Sequence, residues 1–108
     1  MEATPKEILL YETEDGRVPF SEWMDSLEGR PIYGTIMVRL DRVELGNFGN
    51  YHGVGEGVFE LVIDVGPGYR IYFGLDGKSI VVLLAGGTKG SQQADIRTAK
   101  EHWRNYNA

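Results

Sequence analysis

Arg70 and Lys89 are the residues whose type and setting suit chemistry, Arg70 as a clamp for a phosphate and Lys89 as a contact to a ligand close to the backbone. Arg70 belongs to the stretch FELVIDVGPGYRIYFG, Phe59 to Gly74, in which two runs of β-branched and aromatic residues flank Gly66-Pro67-Gly68. That composition predicts a β-hairpin. Strand side chains alternate between faces, so Phe59, Leu61 and Ile63 point one way, together with Tyr69, Ile71 and Phe73. Glu60, Val62, Asp64, Arg70 and Tyr72 take the other face. The first face reads as a core wall and the second as a polar platform, with Val62 out of place in the polar row.

On that platform the fixed fork of guanidinium donors makes Arg70 a phosphate or transition-state clamp, or else half of a cross-strand ion pair with Glu60 or Asp64. Lys89 follows Gly86-Gly87, where small residues let a ligand approach the backbone; the alternative is an ordinary loop lysine. His52 carries an imidazole suited to acid–base work near neutrality, and is otherwise a solvated loop residue. His52, Tyr72, Arg39 and position 62 complete the set of candidate substrate contacts. The sequence GVGEG lacks the strand and helix of a nucleotide-binding fingerprint and reads as a flexible connector. Trp23 and Trp103 read as core residues, and the isolated glutamates as solvated or ion-paired. No serine–histidine or paired-carboxylate arrangement stands out.

The elements that must position these residues follow from length and pattern. With 108 residues, 42% hydrophobic and 25% charged, the chain is one folded domain over residues 1–108. It has no cysteine and two histidines, which excludes disulfides and thiolate catalysis and argues against a zinc site. No metal or cofactor is expected. The longest apolar run, Ile80 to Ala85, is too short to span a bilayer, and the N-terminus shows no signal-peptide pattern, so the expected location is cytoplasmic. A net charge of −5 argues against broad phosphate-driven binding of nucleic acid. The charge is uneven, however: Met1 to Glu28 holds two basic residues against eight acidic, and Lys89 to Ala108 four basic against two acidic.

Glu7 to Glu12 predicts a short strand turned by Asp15-Gly16. Pro19 opens a helix on which Phe20, Trp23, Met24 and Leu27 form one apolar face, ended by Gly29. A longer helix runs from about Pro31 to Leu45, with Ile32, Ile36, Leu40 and Val43 inward and Arg39 and Arg42 off that stripe. Gly46 caps it, and a Gly/Asn-rich loop leads to the hairpin. The continuous apolar run Ile80–Ala85 predicts an interior strand covered on both faces and terminated by Gly86-Gly87. Ser91 caps a last helix with Gln92, Ile96, Ala99, Trp103 and Tyr106 on its inner face. The predicted order is β-α-α-β-β-β-α.

Taken in order, YETEDGRVPFSEWMDSL, the helix end from Arg39-Leu40 to Gly46-Asn47, VGEGVFEL, GPGYRIYFG and LLAGGTKGSQQADIRTAKEHW resemble the HigB-like addiction-module killer proteins of the RelE/ParE toxin superfamily. The resemblance covers nearly the whole chain. It implies an α+β domain, a mostly antiparallel sheet packed against helices, and a toxin neutralised by a helix-turn-helix antitoxin. RelE-like relatives cleave mRNA, commonly on the ribosome. In that chemistry the ribose 2′-OH attacks the adjacent phosphate, while basic residues stabilise the developing charge without a metal. Arg70 matches the arginine of the GYR motif, and Lys89 the basic position after the glycine pair. Tyr69 matches too, but its parity puts it on the core side. Relatives typically read ELR where this chain has Glu60-Leu61-Val62, so Val62 replaces a basic residue beside Arg70. Two other readings follow from that departure: a ParE-like toxin that binds a protein such as DNA gyrase without cutting RNA, and an attenuated module that keeps only antitoxin binding.

Overall fold

Prolines start both of the first two helices, α1 (Pro19–Asp25) and α2 (Pro31–Glu44), where a missing N–H costs nothing. The computed structural model describes residues 4–108. On α2 the buried residues are Ile32, Ile36, Leu40 and Val43, the predicted stripe. It ends as predicted at Gly46, which adopts φ 90°. There the Gly46 N–H bonds Val43 O at 2.8 Å and the Asn47 N–H reaches back to Arg42 O at 2.8 Å, a Schellman closure that a β-carbon would oppose.

Five strands follow from the alternating and continuous apolar segments: β1 (Glu7–Leu10), β2 (Tyr51–Gly55), β3 (Val58–Ile63), β4 (Tyr69–Asp76) and β5 (Ile80–Thr88). They form one sheet in the order β1-β5-β4-β3-β2. The β1–β5 pair is parallel and the others are antiparallel. Helix α3 (Gln92–Tyr106) closes the chain after a 3-10 turn at Lys89–Ser91. The result is an α+β single domain with a mostly antiparallel sheet and three helices. Among the described residues no helix is long and apolar enough to cross a membrane.

The hairpin parity holds: Leu61 pairs with Ile71, Ile63 with Tyr69 and Phe59 with Phe73. These side chains meet Phe20, Met24, Ile36, Leu40 and Val43 from α1 and α2. Strand β5 is interior as predicted, with Val81, Val82, Leu83 and Leu84 all buried.

Three expectations are corrected. The Gly/Asn-rich connector contains β2, because Tyr51, His52 and Gly53 pair with Leu61, Glu60 and Phe59 and so satisfy the outer edge of β3. Gly86-Gly87 does not end β5, which runs on to Thr88. The polar face of the hairpin is not an open platform, since α3 covers it. Val58, Tyr72, Val82, Leu84 and Ala85 there form a second core with Ala99, packed against Ile96, Trp103 and Tyr106.

A bulge reconciles the two cores. Tyr72 pairs with Ala85 but Phe73 pairs with Leu83, which leaves Leu84 as the extra residue. Leu84 and Ala85 therefore both face α3, and the parity of the remaining strand is reset. Beyond the bulge Gly86 lies beneath the Trp23 ring and Gly87 against the Asp95 carboxylate. The glycine pair is thus filled by the protein's own side chains rather than left open to a ligand.

Trp103 uses a glycine in the same way. A methyl group at Gly74 would meet its ring at 2.5 Å, so Gly74→Ala is expected to destabilise the fold by about 1–3 kcal/mol through overpacking. A methyl at Gly34 on α2 meets nothing within 4 Å, and Gly34→Ala is expected to stabilise by about 0.8–1 kcal/mol. Urea melts of the two variants check both signs.

Candidate functional site

Strand alternation puts Glu60 on the α3 side of β3, between Val58 and Val62. Its Cα partners are His52 on β2 and Tyr72 on β4. The side chain is 0% exposed, and a carboxylate removed from water must be compensated. Tyr72 Oη donates to Glu60 Oε2 at 2.8 Å. Gln92, the first residue of α3, donates from Nε2 at 2.9 Å to Oε2 and 3.2 Å to Oε1. His52 Nε2 lies 2.9 Å from Oε1, and Arg70 Nε lies 3.8 Å from that same oxygen. Tyr72 is completely buried, while the His52 side chain is 54% exposed. Burial, and next the hydrogen bond to Glu60, push the Tyr72 phenol well above its ordinary value.

Arg70 sits across β4 from Val62. Its side chain is only 11% exposed. Its Nη1 donates to Tyr69 O at 3.3 Å, but its buried Nε has no hydrogen-bond partner among the described residues. Lys89 is exposed at the start of the 3-10 turn. Its N–H donates to Gly68 O at 2.8 Å. Gly68, at φ +79°, is the meeting point: a methyl group there would find Arg70 Nη1 at 3.3 Å and Lys89 Cβ at 3.5 Å. The hairpin turn thus brings Arg70 and the Lys89 backbone together, although 19 positions separate them in the chain.

The structure also gathers His52 and Tyr72 around Glu60, and sets Val62 half-buried next to Arg70. It does not bring Arg39 into this cluster. Arg39 donates to Phe48 O at 3.1 Å from both Nε and Nη2, to Asn50 O at 2.9 Å and to Val62 O at 2.9 Å. It clasps α2 to the start of β2 and the end of β3, and burial lowers its pKa. Tyr69 is on the α1–α2 side, where its hydroxyl accepts from Arg30 Nη2 at 3.2 Å.

Sequence reasoning missed Glu60 and Gln92 as members of the site. The signal for Glu60 was an acidic residue inside the run Val58–Ile63, where a solvated glutamate does not belong. Gln92 was placed on the inner face of the last helix, and an amide there needs a partner.

A separate groove of about 1080 Å³ lies between the end of β1 and the C-terminal part of α3, lined by Tyr11, Glu12, Asp15, Glu101, His102 and Tyr106 among others. The His102 ring stacks on Tyr11 at 4.8 Å, and burial lowers its pKa. None of the Glu60 cluster lines this groove.

No family model matches the chain. An uncharacterized protein of Haemophilus influenzae is 41% identical to it over 81 residues, 75% of this chain and 82% of that protein.

Tyr72→Phe deletes one donor to the buried carboxylate and is expected to cost about 1–3 kcal/mol. The cost depends on pH with a definite sign. Because the folded-state phenol is raised, its contribution is complete below the unfolded tyrosine value of about 10 and falls as pH rises toward the folded value. Urea melts between about pH 9 and 11.5 should show the parent losing stability more steeply than Tyr72→Phe.

Proposed function

We propose, for a chain that belongs to the same family as the Haemophilus influenzae protein, that it is the toxin of a toxin–antitoxin module. In this reading it has the RelE-like arrangement and acts as a metal-independent endoribonuclease on translated mRNA. The observation that carries the reading is the convergence of Arg70 and Lys89 on Gly68, in the GYR and glycine-pair motifs through which the chain resembles the HigB-like killer proteins. Gly68 is itself buried, packed against the Arg70 guanidinium and the Lys89 backbone, so the turn sets the two basic residues side by side. The buried, unpartnered Arg70 Nε belongs to a guanidinium already oriented by the fold.

The chemistry follows from the groups. A ribose 2′-hydroxyl attacks the neighbouring phosphorus, and negative charge builds on the non-bridging oxygens. Arg70 and Lys89 stabilise that charge, the kind of interaction that is strongest when pre-positioned. The partners in this reading are mRNA on the ribosome and a co-expressed helix-turn-helix antitoxin.

Val62 favours a second reading. It faces Arg70 across the β3–β4 pair and cannot donate a hydrogen bond to phosphate, which suits a ParE-like toxin that binds a protein target without cutting RNA.

Two substitutions separate these readings. Lys89→Ala, at an exposed position, is expected to lower cleavage of a translated mRNA about a hundredfold to a thousandfold, with a melt unchanged within about 0.5 kcal/mol. Val62→Arg is expected to raise cleavage and growth inhibition by about ten- to a hundredfold, through a charge-assisted bond formed in the transition state. Primer extension on a message translated in vitro reads both. If the parent and Val62→Arg proteins both leave the message intact, the nuclease reading is wrong.

A further inference from the structure

Beside the two cations, the Glu60 cluster contains one group equipped to move a proton. Tyr72 is fully buried, and its phenol is held against Glu60. Gln92 does not titrate. The Asp95 carboxylate is engaged by Ser91 Oγ. His52 differs: its ring touches the buried carboxylate at 2.9 Å through Nε2, yet its side chain is 54% exposed to solvent. Arg70 Nε lies 3.8 Å from the same Glu60 oxygen, so the imidazole and the guanidinium are neighbours across one atom. An acidic residue behind a histidine holds the ring in place and stabilises the imidazolium when it forms.

We propose that His52 is the catalytic residue that takes the proton from the attacking 2′-hydroxyl, and that Glu60 is the positioning residue that fixes it beside Arg70. This rests on the ribonuclease reading and adds the proton acceptor to it. The 2′-oxygen forms its bond to phosphorus as its proton passes to the His52 ring. The bond from phosphorus to the 5′-oxygen breaks, and that oxygen takes a proton from solvent. The imidazolium then releases its proton to solvent, leaving a 2′,3′-cyclic phosphodiester and a free 5′-hydroxyl. Tyr72 and Gln92 act one step further back, holding the carboxylate against the pull of solvent and of the positively charged ring.

The full-length chain supports a direct test with three proteins: the parent, His52→Ala and Glu60→Gln. Cleavage of a translated mRNA is measured with and without added imidazole. Binding is measured separately on the same message carrying a 2′-deoxy nucleotide at the cut. His52→Ala should cleave about a hundredfold to ten-thousandfold more slowly, bind the deoxy message as the parent does, still melt cooperatively, and regain activity with imidazole. Glu60→Gln should lower kcat with KM within about threefold of the parent, the mark of an interaction made in the transition state. A His52→Ala protein that cleaves at the parent rate overturns the proposal. So does one whose loss of cleavage equals its loss of binding, because His52 is then a phosphate contact. If Glu60→Gln fails to fold, the His52→Ala and imidazole results decide alone. A parent chain that cleaves no RNA overturns the ribonuclease reading, and the role of His52 goes with it.

Discussion

A single carboxylate withdrawn from water constrains the arrangement of this protein more than any other group. Glu60 is completely buried, and an uncompensated charge in that position costs several kcal/mol. Its partners come from β2, β4 and α3: His52, Tyr72 with Arg70, and Gln92. Three separate elements must therefore arrive at one point. A slip of β3 by one residue would turn Glu60 into the core that holds Ile36 and Leu61, and would carry Leu61 into the polar cluster. The cluster thus fixes the register of the sheet as well as the chemistry of the site.

Close packing makes the arrival of α3 possible. The helix approaches the sheet because Trp103 lies on Gly74 and Gly57, where even a methyl group would collide, and because Gly87 admits the Asp95 carboxylate. The bulge at Leu84 turns Gly87 toward α3 and Gly86 toward Trp23. Without that extra residue the two glycines would exchange faces, and each helix would meet the wrong surface. The placement of Gln92 over Glu60 is therefore a consequence of local backbone geometry in β5 and of side chains absent from β4. Glycines that look like markers of a ligand site in the sequence serve here to bring a helix close to a sheet.

Much of the fold was legible because it rests on periodicity. The stripe on α2, the parity of the Phe59–Phe73 hairpin and the two-sided burial of Val81–Leu84 are local patterns, and the structure realises them. Strand β2 was hidden because Tyr51, His52 and Gly53 carry no apolar alternation; they are a strand only because β3 needs a partner on its outer edge. Arg39 was visible as an arginine off the apolar stripe, but its engagement with the carbonyls of Phe48, Asn50 and Val62 depends on where a distant loop returns. The pairing of Glu60 with Arg70 was readable as an ion pair between adjacent strands. Its burial was not, because α3 covers that face from more than thirty positions downstream.

The same carboxylate sets the electrostatics available to a phosphate. Arg70 approaches the site already accompanied by Glu60 at 3.8 Å, so part of its charge is offset before any ligand arrives. What remains is orientation: the guanidinium is largely enclosed, and little conformational entropy is left to lose on binding. Lys89 is the opposite case, an exposed ammonium on a flexible stem with its backbone tied to Gly68. Among the described residues no carboxylate forms an ion pair with it, and its stem is costly to immobilise. A basic residue at position 62 would add a second cation on the rigid sheet opposite Arg70, between Glu60 and Asp64 on the same face. Valine there leaves the site with one oriented but partly neutralised cation and one free but mobile cation. In the proposed ribonuclease reading, binding of a phosphate then falls mainly to Lys89, and Arg70 contributes most where charge develops at a fixed place.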